Sequence, residues 1–384
     1  MSPMTIPALY LHIPFCHTIC PFCAFAVHGE HAALHADYLS ALEAELALRA
    51  EVYAGSAGPA ASVYIGGGTP STLTLGEVQR LLKVLRRLFP LDDTAEVAFE
   101  LNPEDAGVDY LAGLRALGVN RVSLGVQSVD DATLRALGRG HGAAQSRLAL
   151  AAARQAGLEN VNVDLLLGMP GVGAAAFRAD VAWMLRERPA HVSVYALDIE
   201  PGTLFARRPA LAASVEQGRD DQAARMLWAA ESLTRAGYRH YEVSNYCLPG
   251  REGRQNLLVW DGANYLGFGV GAHSYVDGHR WWNVRHIRAY QRALFRGQAP
   301  VARDERPNAA QRANEELMLC LRRDSGLHPL DWARQHGQPW SAGRRRLVER
   351  LVAEGKARWN ADGRLCLTEP GLLLADAITA ELMV

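Results

Sequence analysis

Three cysteines near the start of this 384-residue chain are spaced for metal binding. Cys16, Cys20 and Cys23 form a C-x-x-x-C-x-x-C run, which places three thiolate ligands on one short loop. Three thiolates leave one iron of a four-iron cubane free to bind an exchangeable ligand, so the spacing favours an iron–sulfur cluster. Zinc remains open as the alternative, because nearby histidines offer a fourth ligand. These are His12, His17, His28 and His31.

The other cysteines and the N-terminal residues bear on the compartment. Cys247, Cys320 and Cys366 are scattered along the chain, whereas disulfide frameworks are typical of short secreted chains. Residues 1–7 lack a charged start followed by a long apolar run, and no stretch reaches the roughly 18 apolar residues of a membrane span. We therefore expect a cytoplasmic protein in which the scattered cysteines are core residues.

The charge balance argues against two classes of partner. The chain carries 40 Lys+Arg and 41 Asp+Glu, so it has no basic excess for nucleic acid or for an anionic membrane. We expect no nucleic-acid partner, and membrane association only through another protein.

The elements that must position the cysteines alternate between strands and helices. Short apolar, β-branched runs predict six strands, at 9–13, 62–65, 96–101, 121–126, 161–167 and 192–197. Helical patterns lie between them, one of them starting with Thr74 and Glu77 in capping-box spacing. Parallel strands need crossovers of this kind, so the pattern predicts an α/β fold, a partial (β/α)6 TIM-like barrel.

Unusual residues follow the strand ends, where a barrel places its active-site loops. Any one of these motifs is equally well explained as a turn or as a structural acid. Five of them in series predict that all of them face the same end of the barrel. In chain order they are the cysteines, Gly66-Gly67-Gly68-Thr69-Pro70, Glu100 with Asn102-Pro103, Gln127-Ser128, and Asp164 with Gly168-Met169-Pro170.

The chain divides into three predicted parts: a barrel over 1–210, an extension over 211–303 packed against it, and a C-terminal domain over 304–384. One long helix is predicted at 216–236. The last part is predicted to contain helices near 311–322, 330–336 and 341–354, followed by a hairpin that turns at Asp362-Gly363. Helices followed by such a hairpin predict a winged-helix-like α+β section.

Together the motifs resemble the oxygen-independent coproporphyrinogen III oxidase family of radical S-adenosylmethionine (SAM) proteins. The resemblance runs in order from about residue 8 to about residue 380. The matching residues are Tyr10-Leu-His12-Ile-Pro-Phe-Cys16-x-x-x-Cys20-Pro-Phe-Cys23, Gly66–Pro70, Glu100-x-Asn102-Pro103, Gly125-Val-Gln127-Ser128, Leu137-Gly-Arg139-Gly-His141, Asn162-x-Asp164, Gly168-x-Pro170, Tyr195-x-Leu197 and Tyr241-Glu-x-Ser-Asn245-Tyr.

Within that family the chain looks most like the HemW subfamily, whose known members are heme chaperones. The oxidases typically have a fourth cysteine two places after the third, where this chain has Phe25. They also carry a longer N-terminal extension before the cluster, whereas the first cluster cysteine here is residue 16.

In this family the open iron of a 4Fe-4S cluster binds SAM, and one electron cleaves SAM to a 5′-deoxyadenosyl radical. The resemblance implies that Cys16, Cys20 and Cys23 hold the cluster, and it assigns no catalytic residue. Glycines would let the methionine moiety approach closely, carboxylates would face its ammonium or the ribose hydroxyls, and Arg139 would pair with its carboxylate. The implied SAM pocket comprises Tyr10, Phe22, Gly67, Gly68, Thr69, Glu100, Gln127, Arg139 and Asp164.

The chain departs from its subfamily where heme would be handled. The usual His-Asn-x-x-Tyr-Trp motif reads Gln255-Asn-Leu-Leu-Val-Trp260 here. Glutamine is a poor axial ligand for heme iron, whereas neutral imidazole is a good one. His273 and Cys247 are substitute candidates, although each is also explained as a structural residue.

The leading hypothesis is a heme chaperone that carries a 4Fe-4S cluster and SAM and passes heme, its cargo, to an unidentified acceptor protein. An electron donor such as a flavodoxin or ferredoxin would be a further partner. The alternatives are a radical SAM enzyme of the coproporphyrinogen oxidase type and a zinc-binding structural protein.

Overall fold

The computed structural model describes residues 5–29, 32–53, 55 and 58–384. His31, one of the histidines offered as a zinc ligand, lies outside the described residues. Within them, no helix combines the length and apolarity needed to cross a bilayer.

Strands and helices alternate through the first half of the chain. They are β1 (Ala8–Ile13), the short β2 (Phe15–Cys16) and β3 (His28–Gly29), α1 (Ala32–Tyr53), β4 (Ala60–Gly67), α2 (Leu75–Leu88), β5 (Leu91–Leu101), α3 (Val108–Ala116), β6 (Arg121–Gln127), α4 (Asp131–Ala136), α5 (Ala143–Gln155), β7 (Asn160–Leu167), α6 (Ala174–Glu187) and β8 (His191–Ala196).

The second half first extends the sheet and then forms a helical section. Its elements are α7 (Pro209–Gln217), α8 (Arg219–Arg235), β9 (Arg239–Glu242), β10 (Asn245–Cys247), α9 (Arg254–Trp260), β11 (Tyr265–Phe268), β12 (His273–Val276), β13 (His279–Asn283), α10 (Ile287–Leu294), β14 (Val301–Glu305), α11 (Ala309–Leu321), α12 (Pro329–His336), α13 (Ala342–Ala353), β15 (Ala357–Trp359), β16 (Leu365–Leu367), α14 (Glu369–Leu372) and α15 (Ala375–Leu382).

One large sheet positions the site. Its strand order is β14-β13-β12-β11-β1-β4-β5-β6-β7-β8-β10-β9, and β1 with β4 to β8 pair in parallel. These parallel strands are the six that the sequence predicts, so the α/β prediction is confirmed. Strand β11 adds to β1 in parallel, and β12 to β14 continue from it as an antiparallel meander.

Local sequence explains the helices that cover the sheet. Helix α2 begins at the predicted capping box, in which Thr74 Oγ1 accepts from the Glu77 N–H and the Glu77 carboxylate accepts from the Thr74 N–H. Its buried side chains Val78, Leu82 and Leu85 fall on one face. The long helix predicted at about 216–236 is present as α8, which begins only at Arg219 because Gly218 ends α7 and donates its N–H to carbonyls of the last α7 turn.

The C-terminal section has a hydrophobic core of its own. The buried apolar side chains between Ala313 and Leu382 form one cluster, distinct from the cluster between the sheet and its helices. The three predicted helices and the hairpin are present as α11, α12, α13 and β15–β16. The domain boundaries at 210 and 303 stay predictions.

Candidate functional site

The cysteine loop follows β1 at the carboxyl end of the parallel strands. Cys16 is buried at the end of β2, while Cys20 and Cys23 are half-buried, and the Cys23 N–H donates to the Cys20 carbonyl at 3.0 Å. Burial raises the pKa of Cys16 to about 11 and raises that of Cys23. Without a metal these two thiols are protonated at neutral pH, so metal binding must displace their protons.

Arg139 supplies the positive charge beside these thiols. Its Nη1 donates to Cys20 Sγ at 3.1 Å, and its Nη2 donates to Asn102 Oδ1 at 2.7 Å and to the Gly125 carbonyl at 2.9 Å. The guanidinium charge favours the thiolate forms of Cys16 and Cys23. Its Nε is buried and has no hydrogen-bond partner among the described residues.

Two of the histidines offered as zinc ligands, His12 and His17, bind other protein groups. His12 Nδ1 lies 2.9 Å from the Tyr10 hydroxyl and its Nε2 lies 2.8 Å from the Ala26 carbonyl, while His17 Nε2 lies 3.1 Å from Asp105 Oδ1. Across the described ranges, no three His, Cys, Asp or Glu side chains are arranged to hold one metal ion. A cubane needs no such convergence, because each of its cysteines binds a different iron.

The cysteines open onto a cavity of about 380 Å³. All the predicted site residues except Tyr10 line it: Cys16, Cys20, Phe22, Cys23, Gly67, Gly68, Thr69, Glu100, Gln127, Arg139 and Asp164. Tyr10 lies behind this wall, with its ring 6.2 Å from that of Tyr64. Asn102, Ser123 and Tyr195 also line the cavity. Asn102 and Tyr195 belong to matched motifs, whereas Ser123 carries no signal in the sequence.

The glycine motif is packed tightly against the cysteine loop. Gly67 has φ +115°, and a Cβ there would lie 2.4 Å from His12 Nδ1, while a Cβ at Gly68 would lie 2.7 Å from the Pro14 carbonyl carbon. The N–H groups of Gly67, Gly68 and Thr69 donate to the Glu100 carboxylate and to the Ile13 and Phe15 carbonyls. These three N–H groups are therefore engaged within the protein and are not available to a ligand.

Two largely buried carboxyls also line the cavity. Glu100 accepts from the Tyr64 hydroxyl at 2.7 Å and from the Gly67 N–H at 3.0 Å, and burial with the charge of Asp164 raises its pKa to about 7. Burial also raises the pKa of Asp164, which accepts from Asn162 at 2.7 Å and from Ser123 at 3.3 Å. Buried acids with raised pKa values favour a cationic ligand, because a positive charge would offset the cost of ionising them.

A chain of hydrogen bonds crosses the barrel from Asp164 to its other end. Asn162 Nδ2 donates to Asp164 at 2.7 Å, His191 Nδ1 lies 2.6 Å from Asn162 Oδ1, and the Tyr241 hydroxyl lies 2.8 Å from His191 Nε2. The Gly253 N–H donates to that hydroxyl at 3.1 Å. Burial lowers the pKa of His191, which keeps the ring neutral. Each group can thus donate towards Asp164, which fixes the amide of Asn162 with its NH2 facing the carboxylate.

Two further predicted residues lie at bends of the chain. Gln127 has φ +65° at the carboxyl end of β6, where the chain turns away from the sheet. Phe22 packs with its ring 6.3 Å from that of Phe205, in a small apolar cluster beneath the cysteine loop. The Phe205 N–H also donates to the Pro21 carbonyl at 2.9 Å, which ties the loop to this cluster.

The segment in place of the usual heme motif lies at the other end of the barrel. Gln255 is buried in the first turn of α9, and its N–H donates at 3.4 Å to Glu96 Oε1, near the amino end of the parallel part of β5. The structure therefore places Gln255 far from the cysteine loop. Cys247 is fully buried, and so is Cys366, while His273 is exposed on β12.

Comparison with known proteins agrees with this geometry. The profile of the Radical SAM superfamily matches residues 10–184. The chain is 39% identical over 395 residues to "Heme chaperone HemW" of Mycobacterium tuberculosis, covering 100% of this chain and 98% of that protein. It is 31% identical to the protein of that name from Bacillus subtilis, covering 96% and 97% of the two chains. The one from Escherichia coli is 36% identical, covering 75% and 76%.

A solved structure shows the same fold. The Escherichia coli coproporphyrinogen III oxidase (HemN), described as a radical SAM enzyme, superimposes with a TM-score of 0.83. The match covers 100% of this chain and 91% of the oxidase at 23% sequence identity. At that identity the likeness is one of fold.

Proposed function

The chain belongs to the HemW family of the radical SAM superfamily, and we propose that it is a heme chaperone, which binds heme and passes it to an acceptor protein. The observation that carries this proposal is the 39% identity to a heme chaperone over the whole chain. The oxidase alternative is supported by a similarity of fold at 23% sequence identity. Phe25 argues against it, because it stands where the oxidases typically have a fourth cysteine.

The residues around the cavity suit the cofactors that the superfamily implies. Cys16, Cys20 and Cys23 would hold a 4Fe-4S cluster, and the cavity beside them would take SAM. When bound, the cluster supplies one electron to SAM. The fit rests on the donor set of three thiols that line the cavity, and on two carboxyls in the same lining whose raised pKa values favour a cation.

The protein's own groups prepare this site in three ways. Arg139 holds its guanidinium against Cys20 and favours thiolates on the loop. Its buried Nε, with no partner among the described residues, would donate to a ligand carboxylate. Glu100 and Asp164 would accept from the ammonium and the ribose hydroxyls of SAM, with Asp164 oriented by the chain through Asn162.

The remaining parts of the proposal concern partners and organisation. The acceptor is a protein that takes up heme, and a flavodoxin or ferredoxin would deliver the electron. The protein would act in the cytoplasm, with a barrel over 1–210, an extension over 211–303 and a winged-helix-like domain over 304–384.

Two parallel incubations of anaerobically reconstituted protein test the proposal. One contains heme, and the other contains coproporphyrinogen with SAM and a reductant. We expect retained heme in the first and no decarboxylated product in the second. Decarboxylated product without heme retention would establish the oxidase alternative, and stoichiometric zinc without sulfide in the purified protein would contradict the cluster.

A further inference from the structure

His273 differs from the buried histidines in the way its ring is held. His12 and His191 have both ring nitrogens within hydrogen-bond distance of protein groups. His273 is exposed on β12, and nothing in the described part of the chain hydrogen-bonds to its ring. The imidazole is stacked on Trp282 of β13, with ring centroids 5.4 Å apart and planes at 18°.

Partial burial, together with nearby positive charges, keeps the His273 imidazole neutral. Partial burial lowers its pKa, and the positive charges of Arg280 and Arg285 lower it further. A neutral imidazole has a lone pair for iron. The indole behind it restricts the ring to a narrow range of orientations, so little rotamer freedom remains to be lost on ligation.

Strand register places His273 on the sheet face that lines the barrel. Side chains directly opposite each other on paired strands share a face. Tyr10 on β1, which is behind the cavity wall, is opposite Gly267 on β11. Strands β11 and β12 pair at Tyr265 and Tyr275, and the alternation of side chains along each strand puts Gly267 and His273 on the same face as that pair. Trp282 is opposite His273 on the next strand. The row Tyr10, Gly267, His273, Trp282 therefore runs from the barrel onto its open side.

Gly267 lets the backbone of β12 pack closely against β11. Two strand spacings, about 10 Å, separate the backbones of these two residues, and the strand between them presents no side chain on that row. A Cβ at Gly267 would lie 2.1 Å from the His273 carbonyl oxygen, so the bare backbone is a requirement of the sheet.

The edge of this surface joins the cysteine loop and carries a cation. Arg285 Nη2 donates to the Ala24 carbonyl at 2.7 Å, and a Cβ at Gly271 would lie 2.8 Å from Ala26 Cβ. Arg285 is exposed and has no carboxylate partner within the described ranges. Next to Ala24, the Phe25 side chain is 69% exposed and lines the cavity mouth.

We propose that heme binds on this face, with His273 as an axial ligand of the iron and Trp282 behind the imidazole. Arg285 pairs with a propionate, and Phe25 covers an edge of the macrocycle. The chemistry matches at each point, because heme is flat and apolar, has a vacant axial position and carries two carboxylates. The assignment rests on the proposed heme-chaperone function, and it supplies the imidazole that Gln255 does not.

Heme titration of the full-length, cluster-loaded protein, followed by the Soret absorption, tests this site. We expect His273→Ala to weaken heme binding by at least about tenfold and to shift the Soret band, with added imidazole restoring the band. Arg285→Gln should weaken binding by up to about fivefold without moving the band. His279→Ala is the matched control, since His279 is in the same hairpin but pairs with Asp304 at 2.9 Å, and it should bind heme as the wild type does.

The outcomes separate this site from the function on which it rests. A His273→Ala protein that keeps the affinity and the Soret band of the wild type would overturn the site while leaving the chaperone intact. A wild-type protein that takes up no heme would overturn the chaperone function, and the site with it.

Discussion

Replacing Glu100 with glutamine should change how stability depends on pH. The Glu100 carboxyl is largely buried and accepts from the Tyr64 hydroxyl and the Gly67 N–H. Burial raises its pKa from 4.5 to about 7, with a further contribution from the charge of Asp164. The folded protein therefore binds this proton more tightly than the unfolded chain does.

The sign and size of the effect follow from linkage. A carboxyl whose pKa is raised on folding contributes its full stability below the unfolded pKa and loses it as pH rises through the folded pKa. The window is therefore pH 4.5 to 7. At about 1.4 kcal/mol per pKa unit, ionising Glu100 costs the ligand-free protein about 3 kcal/mol across it. Glutamine cannot ionise, so the Glu100→Gln protein escapes this loss.

Urea unfolding of the two ligand-free proteins at pH 5 and pH 8 measures the effect. The free energy of unfolding of Glu100→Gln, relative to wild type, should rise by about 3 kcal/mol between these pH values. Titrating groups that do not interact with Glu100 contribute equally in both proteins and cancel in the difference. Glu349→Gln, an exposed change outside the site, is the control and should show a constant difference. A pH-independent difference for Glu100→Gln would refute the reasoning.

Three further changes follow from the same geometry. SAM should bind about tenfold more weakly at pH 6 than at pH 8, because its cationic groups need ionised Glu100, and calorimetry should find this dependence absent in Glu100→Gln. Gly67→Ala should cost at least about 2 kcal/mol of stability, because φ is +115° and the added Cβ would meet His12. The control Gly171→Ala, at a position with φ +81° and no neighbouring atoms within reach, should cost about 1 kcal/mol. Equal costs in urea unfolding would remove the steric explanation. Tyr241→Phe should cost about 2 kcal/mol, because the Gly253 N–H and His191 Nε2 lose their partner; an unchanged midpoint would show that the chain of hydrogen bonds carries no stability.

The sequence predicts the barrel well because its strands are continuous apolar runs that are buried on both faces. The predicted run at 192–197, for example, corresponds to β8 at His191–Ala196. Strands β11 to β14, which extend the sheet beyond β1, are not predicted by the sequence as parts of the sheet. They are four or five residues long, and β11 reaches β1 through the pairing of Ala8 with Tyr265. Sequence periodicity gives no information about a strand partner that lies so far away in the chain.

The site likewise has residues that the sequence predicts and residues that it does not. Cys16 and Gly67 lie in motifs at strand ends, and Asp164 lies within a strand. The sequence predicts that they share one site, and the structure places all three around one cavity. Ser123 and His191 face the barrel interior because of strand alternation and register, which a single strand does not reveal. The alignment of His273 with the barrel face likewise depends on pairings across three strands.

Heme titration of the cluster-loaded wild-type protein, followed by addition of a heme-free acceptor, tests the central claim most directly. A heme chaperone should take up heme to a saturable end point, with a Soret band of ligated iron, and should lose that band as the acceptor gains it. Failure to bind heme saturably, or heme that stays bound while the acceptor remains empty, would contradict the account.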